Sequence, residues 1–148
     1  MIKIICVGKI KEKFYKEAID EYLKRLGKYT KVEIIELSDY NYDLEKTKME
    51  EGKNILSKIK ENDYVVTLEI EGNMLSSVEL SEFIDKNITK NIVFIIGGSL
   101  GLSSDVLKRS NYSLSFSKLT FPHQLFRIIL LEQIYRSFKI INNESYHK

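Results

Sequence analysis

The stretch I-V-F-I-I-G-G-S-L-G, residues 92–101, decides the fold. Its first half is apolar at every position, which is typical of a strand with both faces covered, as in a parallel sheet. Ligands of such sheets bind beyond the carboxyl ends of the strands, where glycines let the backbone approach a ligand closely. The stretch therefore predicts an α/β protein with a ligand loop at residues 97–101. A tight structural turn is the alternative explanation for the glycines.

Strands and helices are predicted to alternate on both sides of this stretch. The predicted strands are 2–7, 32–37, 64–70, 92–96 and 112–116. The predicted helices are 11–26, 44–60, 76–88, 104–109 and a last one that begins at Pro122. No repeat, low-complexity tract or Pro/Gly-rich linker divides the 148 residues. The alternation predicts one domain, residues 1–148, in which helices flank a mostly parallel sheet.

Local signals support several of these boundaries. Ser76 and Glu79 form a capping-box pattern, and Pro122 suits a first helical turn because proline has no N–H to leave unpaired. Gly27 is expected to end the first helix, and Gly72-Asn73 is expected to form the turn after the third strand. The first helix is expected to bury one face, made of residues spaced four apart, which are Phe14, Ala18, Tyr22 and Leu26.

The last helix carries apolar residues in every direction. Residues 128–131, I-I-L-L, point to four sides of the axis, and Leu125, Ile134 and Phe138 extend the apolar surface. A helix of this kind has to be buried on all sides. We therefore predict a homodimer in which a second copy covers the helix. A central helix in the core of one chain is the alternative.

Composition excludes some functions and favours an ordinary globular protein. Hydrophobic residues make up 43% of the chain and charged residues 30%. No apolar run approaches the ~20 residues that cross a bilayer, and the first residues lack a signal-peptide pattern, so we expect a cytoplasmic protein without membrane contact. Cys6 lies in an apolar run and is expected to be a small buried residue. With only His123 and His147 beside this one cysteine, no metal site is expected.

The charges are distributed unevenly along the chain. Residues 1–31 hold nine Lys and Arg against four Asp and Glu, and residues 90–148 hold eight against three. The middle, residues 32–89, holds six against fourteen. Two basic ends around an acidic middle would form a basic face suited to a polyanion, and an uneven surface charge without function is the alternative.

Three segments could carry chemistry. Residues 97–101 also match the G-x-S-x-G pattern of serine hydrolases, with Ser99, Asp105 and His147 in triad order. We disfavour this alternative because Asp105 follows Ser99 by only six residues, within the next short helix. Residues 115–124 place polar groups between aromatic ones and could contact a heterocycle, or simply join a strand to a helix. The tail, residues 142–148, offers a tyrosine and a histidine, although chain ends are commonly disordered.

Taken together, these segments resemble one known family. The matching text is V-G-K-I-K-E-K-F at 7–14, T-L-E-I-E-G-N-M-L-S-S at 67–77, I-I-G-G-S-L-G at 95–101 and R-S-N-Y-S-L-S-F-S-K-L-T-F-P-H-Q at 109–124, continuing to E-S-Y-H-K at 144–148. This text is similar to the ribosomal RNA large subunit methyltransferase H family, a minimal branch of the SPOUT methyltransferases. The resemblance spans essentially the whole chain.

The resemblance implies an activity and an architecture. Family members use S-adenosylmethionine to methylate N3 of a pseudouridine in 23S rRNA of the assembled ribosome. Their C-terminal part threads into a deep trefoil knot, which ordinary topology rules would have rejected, and they work as homodimers. The alternative function is a non-catalytic RNA- or nucleotide-binding module that keeps the same fold.

The resemblance also implies which residues bind the cofactor. By position, the S-adenosylmethionine contacts are Leu68, Gly97, Phe116, Ser117, Lys118, Leu119, Thr120 and Phe121.

The reaction itself requires that the pseudouridine N3 lose its proton. His147 is our first candidate for the base, Tyr146 is expected to orient the base or the uracil, and Arg127 to stabilise negative charge or hold a phosphate. His123 is expected to be structural. The predicted RNA contacts are Lys9, Lys11, Lys13, Lys118 and Arg127.

Overall fold

The computed structural model describes residues 1–148 and confirms the predicted alternation of strands and helices. The strands are β1 (Ile2–Val7), β2 (Val32–Leu37), β3 (Tyr64–Met74), β4 (Ile92–Ile96) and β5 (Tyr112–Ser115). The helices are α1 (Lys13–Leu26), α2 (Leu44–Ser57), α3 (Ser77–Lys86), α4 (Ser104–Arg109) and α5 (His123–Ile141). The strands form one sheet in the order β2-β1-β4-β3-β5, and every neighbouring pair is parallel.

β4 lies at the centre of this sheet and is buried along its whole length. Its side chains alternate between two cores. Phe94 and Ile96 belong to the core beneath α1, α3 and α5, whereas Val93 and Ile95 belong to the core beneath α2 and α4. This double coverage explains why the strand is apolar at every position, and it confirms the prediction of a parallel sheet flanked by helices.

The prediction for β3 is wrong at its carboxyl end. No turn stops the strand at Gly72-Asn73. Instead β3 continues to Met74, and its pairing with β5 shifts, so that Leu68 and Asn73 both lie opposite Leu114. The intervening residues 69–72 bulge from the ladder, and such irregularities commonly re-aim side chains near functional sites. Gly72 permits this bulge because a Cβ there would lie 2.9 Å from the backbone carbon of Leu114.

Other boundaries differ slightly from those predicted. The capping box of α3 is confirmed, with Ser76 and Glu79 bonded in both directions. Pro122 precedes α5 as its N-cap instead of occupying its first turn. Phe14 was wrongly expected on the buried face of α1, since it is 63% exposed while Ile19 is buried. The smaller differences are that α1 begins at Lys13, α2 ends at Ser57, α3 ends at Lys86 and β5 ends at Ser115.

α5 packs against α1 and α3, and this contact supplies much of the burial that its sequence demands. Residues such as Leu130, Leu131 and Ile134 are completely buried within one chain. Ile128 and Ile129 are only half-buried. The homodimer therefore stays a prediction, as does the knot.

Cys6 of β1 is completely buried, as predicted, in the core beneath α1, α3 and α5. Burial raises the pKa of its thiol to about 12. None of the five helices combines the length and the apolar composition that a membrane span requires.

Gly52 offers a test of how α2 meets α4. A Cβ at this position would lie 2.3 Å from Ser103 Oγ and 3.0 Å from Ser103 Cβ. Alanine in a helix is ordinarily more stable than glycine by about 0.5–1 kcal/mol. Here we expect Gly52→Ala to lower the free energy of unfolding by about 1–3 kcal/mol, since overpacking outweighs helix propensity. Urea denaturation measures this difference.

The matched control is the double variant Gly52→Ala/Ser103→Gly. It removes the clashing atoms, and glycine at the helix cap costs only about a few tenths of a kcal/mol. We expect it to recover most of the lost stability. A Gly52→Ala chain that is more stable than the parent would show that the two helices do not pack as described.

Candidate functional site

A large cavity lies at the carboxyl ends of β3, β4 and β5. Its volume is about 690 Å³, within the ~300–1,000 Å³ range of small-molecule sites. Its lining comes from within residues 68–71, 96–102, 114–121 and 123–126, with Lys48 and Leu107. This is the sheet edge where the glycine stretch predicted a ligand loop.

The structure brings together nearly all of the predicted cofactor contacts. Leu68, Gly97 and the segment 116–121 are far apart in sequence, yet they line the same cavity. Lys118 is the exception, because it does not belong to the lining. Three β-strands deliver these segments, since parallel strands end at the same edge of the sheet.

The glycine loop is packed tightly from behind. A Cβ on Gly97 would lie 2.8 Å from Leu102 Cδ2, and one on Gly98 would lie 3.0 Å from Glu51 Oε1. Glu51 is a buried carboxylate on α2, and burial raises its pKa above the ordinary value. Gly101 has φ +85°, which a side chain rarely tolerates. The loop thus needs glycine for close packing and for its turn.

The segment between β5 and α5 forms another wall of the cavity. Its backbone is shaped by Ser117, whose Oγ accepts a hydrogen bond from the Leu119 N–H at 3.0 Å. Phe126 of α5 packs against Phe116 and Phe121, with ring centroids 5.1 and 6.1 Å apart. Leu119 is 70% exposed, so the wall combines an apolar aromatic base with an open rim.

His123 was expected to be structural, and the structure places it in the cavity lining. Burial, and after it the positive charge of Arg127, lowers the pKa of His123 below its ordinary value. The imidazole is therefore neutral at pH 7. A neutral ring at this wall adds no positive charge to the cavity.

Arg127 is placed differently from what the sequence suggested. Its guanidinium is 2% exposed, pairs with Glu36 and donates to the Gly8 carbonyl at 2.6 Å. Its Nε is buried without a partner, and the residue does not line the cavity. Arg127 thus ties α5 to the ends of β1 and β2, and its guanidinium is buried outside the cavity lining.

The consequence for stability can be measured with Glu36→Ala. This change leaves a buried guanidinium without its carboxylate and also removes the acceptor of the Ile10 N–H. Breaking a buried pair costs about 3–5 kcal/mol, and we expect roughly 2 kcal/mol because Glu36 retains contact with solvent. Chemical denaturation of the variant and its parent gives the value.

A surface pair provides the comparison for this measurement. Glu21 and Arg25 are 2.8 Å apart on α1 and are both well exposed. Glu21→Ala is expected to destabilise the chain much less than Glu36→Ala, because solvent screens an exposed pair. Equal losses from the two substitutions would contradict the structural role that we give to Arg127.

The tail is ordered and folds back onto α5. Tyr146 Oη donates to Glu132 Oε1 at 2.9 Å, and its ring packs edge-on against Tyr135. Burial, with the hydrogen bond to Glu132, raises the pKa of Tyr146 above its ordinary value. His147 Nδ1 lies 3.1 Å from Arg136 Nη1. Neither Tyr146 nor His147 lines the cavity of its own chain.

The comparisons with known proteins agree with this geometry. A family-wide sequence model described as "Predicted SPOUT methyltransferase" matches residues 1–147. The chain belongs to the SPOUT methyltransferase family. Two curated relatives from Clostridium botulinum, strains Alaska E43 / Type E3 and Eklund 17B / Type B, are named "Ribosomal RNA large subunit methyltransferase H". They are 59% and 57% identical to this chain, and each alignment covers 99% of both proteins.

For a SPOUT methyltransferase, the serine hydrolase alternative no longer holds. His147 contacts Arg136, and no hydrogen bond joins Ser99 to Asp105 or to His147. Ser99 lies in the cavity lining as part of the glycine loop. The match to G-x-S-x-G therefore reflects a turn with two required glycines and not a nucleophile.

Sequence reasoning missed several residues that line this cavity. Lys48, Glu69 and Glu71 line the cavity, but only Leu68 was named from the β3 end. The text L-E-I-E at residues 68–71 carried a signal, because carboxylates directly after a buried strand lie at the ligand edge of a parallel sheet. Lys48 gave no such signal, since it is one lysine of a charged helix.

Three basic residues lie beside the end of β1, where the prediction put them. Lys9, Lys11 and Lys13 are exposed and follow the carboxyl end of β1. This is the same edge of the sheet that carries the cavity. Lys13 forms only a loose surface pair with Glu17, at 3.7 Å. The methyltransferase therefore presents positive charge on the side of its candidate site.

Proposed function

We propose that this methyltransferase binds S-adenosylmethionine in the cavity and transfers a methyl group to N3 of a pseudouridine in 23S rRNA of the assembled ribosome. The observation that carries the proposal is the convergence of Leu68, Gly97 and segment 116–121 on one cavity. The printed name of the relatives supports large-subunit rRNA as the target. The family resemblance supports the particular atom.

The lining suits a nucleoside cofactor. The glycine loop and the aromatic and aliphatic residues of segment 116–121 line the same cavity, which matches the needs of an adenine ring with a polar edge. The loop has no room for a side chain at Gly97. The bound cofactor would supply an activated methyl group on a sulfonium. The protein's part is to align donor and acceptor and to exclude water.

The acceptor needs a group that handles the N3 proton. His147 remains our candidate, with one refinement from the structure. Because a guanidinium only donates, Arg136 makes His147 Nδ1 an acceptor, so a neutral His147 carries its hydrogen on Nε2. In this state Nε2 can donate to a uracil carbonyl. To accept the N3 proton, the ring has to leave Arg136.

The cavity and the tail contact different parts of α5. Phe126 lines the cavity, whereas Glu132 and Arg136 hold the tail six and ten residues further along the helix. At 1.5 Å per residue, these anchors lie roughly 9–15 Å along the axis from Phe126. We therefore propose that the tail of one chain serves the cavity of a second copy. The half-buried Ile128 and Ile129 of α5 offer apolar surface for that contact.

RNA binding is proposed for the exposed lysines beside the cavity. Lys9, Lys11 and Lys13 supply positive charge, while a net charge of +2 is small for holding naked RNA. Recognition of a shaped ribosomal surface fits this balance. Lys118, which lies outside the cavity, is free to take part in the same contact.

Gly97→Val tests the cofactor site. We expect this chain to remain folded, because Leu102 is a flexible neighbour that can shift, and to lose S-adenosylmethionine affinity by at least about tenfold, which corresponds to about 1.4 kcal/mol. Calorimetry gives the affinity and a thermal melt reports folding. Unchanged affinity would contradict the site. A parent chain that binds no S-adenosylmethionine would favour the non-catalytic module.

A mixed dimer tests the division of labour between tail and cavity. One chain carries Gly97→Val and the other lacks residues 146–148. Each homodimer is expected to be inactive on ribosomes that lack the modification. The mixed dimer, purified through two affinity tags, is expected to retain about half of the parent activity, because one of its two sites has both parts. Mass spectrometry of the 23S rRNA measures methylation.

The controls for this experiment separate its components. The truncated chain should keep its cofactor affinity, since no tail residue lines the cavity. Ser145→Ala changes an exposed tail residue and should leave methylation intact. An inactive mixed dimer would show that the tail does not act across the dimer, and full activity of the truncated homodimer would refute any role of the tail.

A further inference from the structure

The bulge of β3 places a carboxylate at the cavity. Residues 69–72 leave the ladder between Leu68 and Asn73, and three of them, Glu69, Ile70 and Glu71, line the cavity. In a regular strand, Glu69 and Glu71 would continue the pairing of β3 with β5. The irregularity instead turns this acidic stretch toward the ligand site, next to the predicted cofactor contact Leu68.

Glu69 is held in place by a buried network. Thr67 Oγ1 donates to Glu69 Oε2 at 2.7 Å, and the same hydroxyl lies 2.8 Å from Ser110 Oγ. Thr67 is completely buried, so this anchor is rigid. No protein group hydrogen-bonds the second oxygen, Oε1, of the half-buried Glu69. Glu71, by contrast, is exposed and has no side-chain hydrogen bond.

The ionisable groups of the lining favour a cationic ligand. They are the carboxylates Glu69 and Glu71, the Lys48 ammonium, and the neutral imidazole of His123. The formal charge of this set is −1. S-adenosylmethionine carries one more positive charge, on its sulfonium, than the thioether S-adenosylhomocysteine that remains after methyl transfer. The two ligands are otherwise nearly identical.

We propose that the Glu69 carboxylate binds the positive charge of S-adenosylmethionine and so makes the cavity prefer the methylated cofactor over its neutral product. This assignment rests on the proposed function of the cavity. An opposite charge about 5 Å away in a partly solvated site is worth enough to shift affinity about tenfold. Loss of the sulfonium charge on methyl transfer removes this attraction, so Glu69 also favours release of the product.

The test is calorimetric titration of the full chain with each ligand. Glu69→Gln keeps the shape and an acceptor for Thr67 while it removes the charge. We expect the affinity for S-adenosylmethionine to fall about tenfold and the affinity for S-adenosylhomocysteine to stay within about twofold. The preference for the cofactor therefore shrinks. A thermal melt of the variant verifies that it is folded.

Two further substitutions remove the same charge at other places. Glu82 is exposed on α3 away from the cavity, so Glu82→Gln should change neither affinity. Glu71→Gln removes a carboxylate that lines the cavity without an anchor. We expect it to have a clearly smaller effect on S-adenosylmethionine than Glu69→Gln. Equal effects would overturn the role of an anchored carboxylate in favour of a diffuse negative field.

The outcomes separate this assignment from the proposed function. If the parent chain binds neither ligand, the proposed function itself fails, and Glu69 has no such role. If the parent binds both and Glu69→Gln weakens both equally, the carboxylate contacts a part that the ligands share, and the charge assignment is wrong. If Glu69→Gln weakens neither, Glu69 does not contact the ligand.

Discussion

The burial of β4 on both faces is the constraint on which the rest of the structure depends. A strand with no exposed side chain needs a helix layer on each side and a strand on each edge, and this sheet supplies all four. Because the strands are parallel, all their carboxyl ends meet at one edge. The candidate cavity lies at that edge, so its position follows from how the core is covered.

Some charged groups of this molecule hold its elements together, and others remain available for binding. Arg127 and Glu36 form a pair that holds α5 to the ends of β1 and β2, and the guanidinium is buried. Glu132 and Arg136 hold the tail on the outer part of α5. The groups left for binding are those of the cavity rim and the exposed lysines after β1. The acidic middle of the chain contributes Glu69 to the cavity, so it does more than balance the positive charge of the basic ends.

Most of the fold could be predicted because local patterns and global packing agree. The I-V-F-I-I run, the capping box at Ser76 and the alternation of elements each indicated the observed structure. The exceptions have physical causes. The bulge after Leu68 depends on how β3 pairs with β5, which no local pattern encodes. Phe14 fitted an apolar spacing, but the core contacts the neighbouring face of α1, where Ile19 lies.

The sequence predicted the fold more completely than it predicted the residues of the cavity. Leu68, Gly97 and segment 116–121 came from family resemblance, and the cavity unites them apart from Lys118. The role expected of Arg127 depended on its being free, and burial against Glu36 is a tertiary property that composition cannot reveal. For the same reason the sequence left His123 out of the cavity. The order of the tail on α5 likewise comes from Tyr146 and Glu144, whose partners Glu132, Tyr29 and Lys139 are known only from the fold.

The most direct measurement of the central claim is a crystal structure of the chain grown with S-adenosylmethionine at saturating concentration. We expect ligand density between the glycine loop at 97–101 and the wall at 116–121, with the sulfonium on the side of Glu69. Density elsewhere on the molecule, or an empty cavity at that concentration, would contradict it.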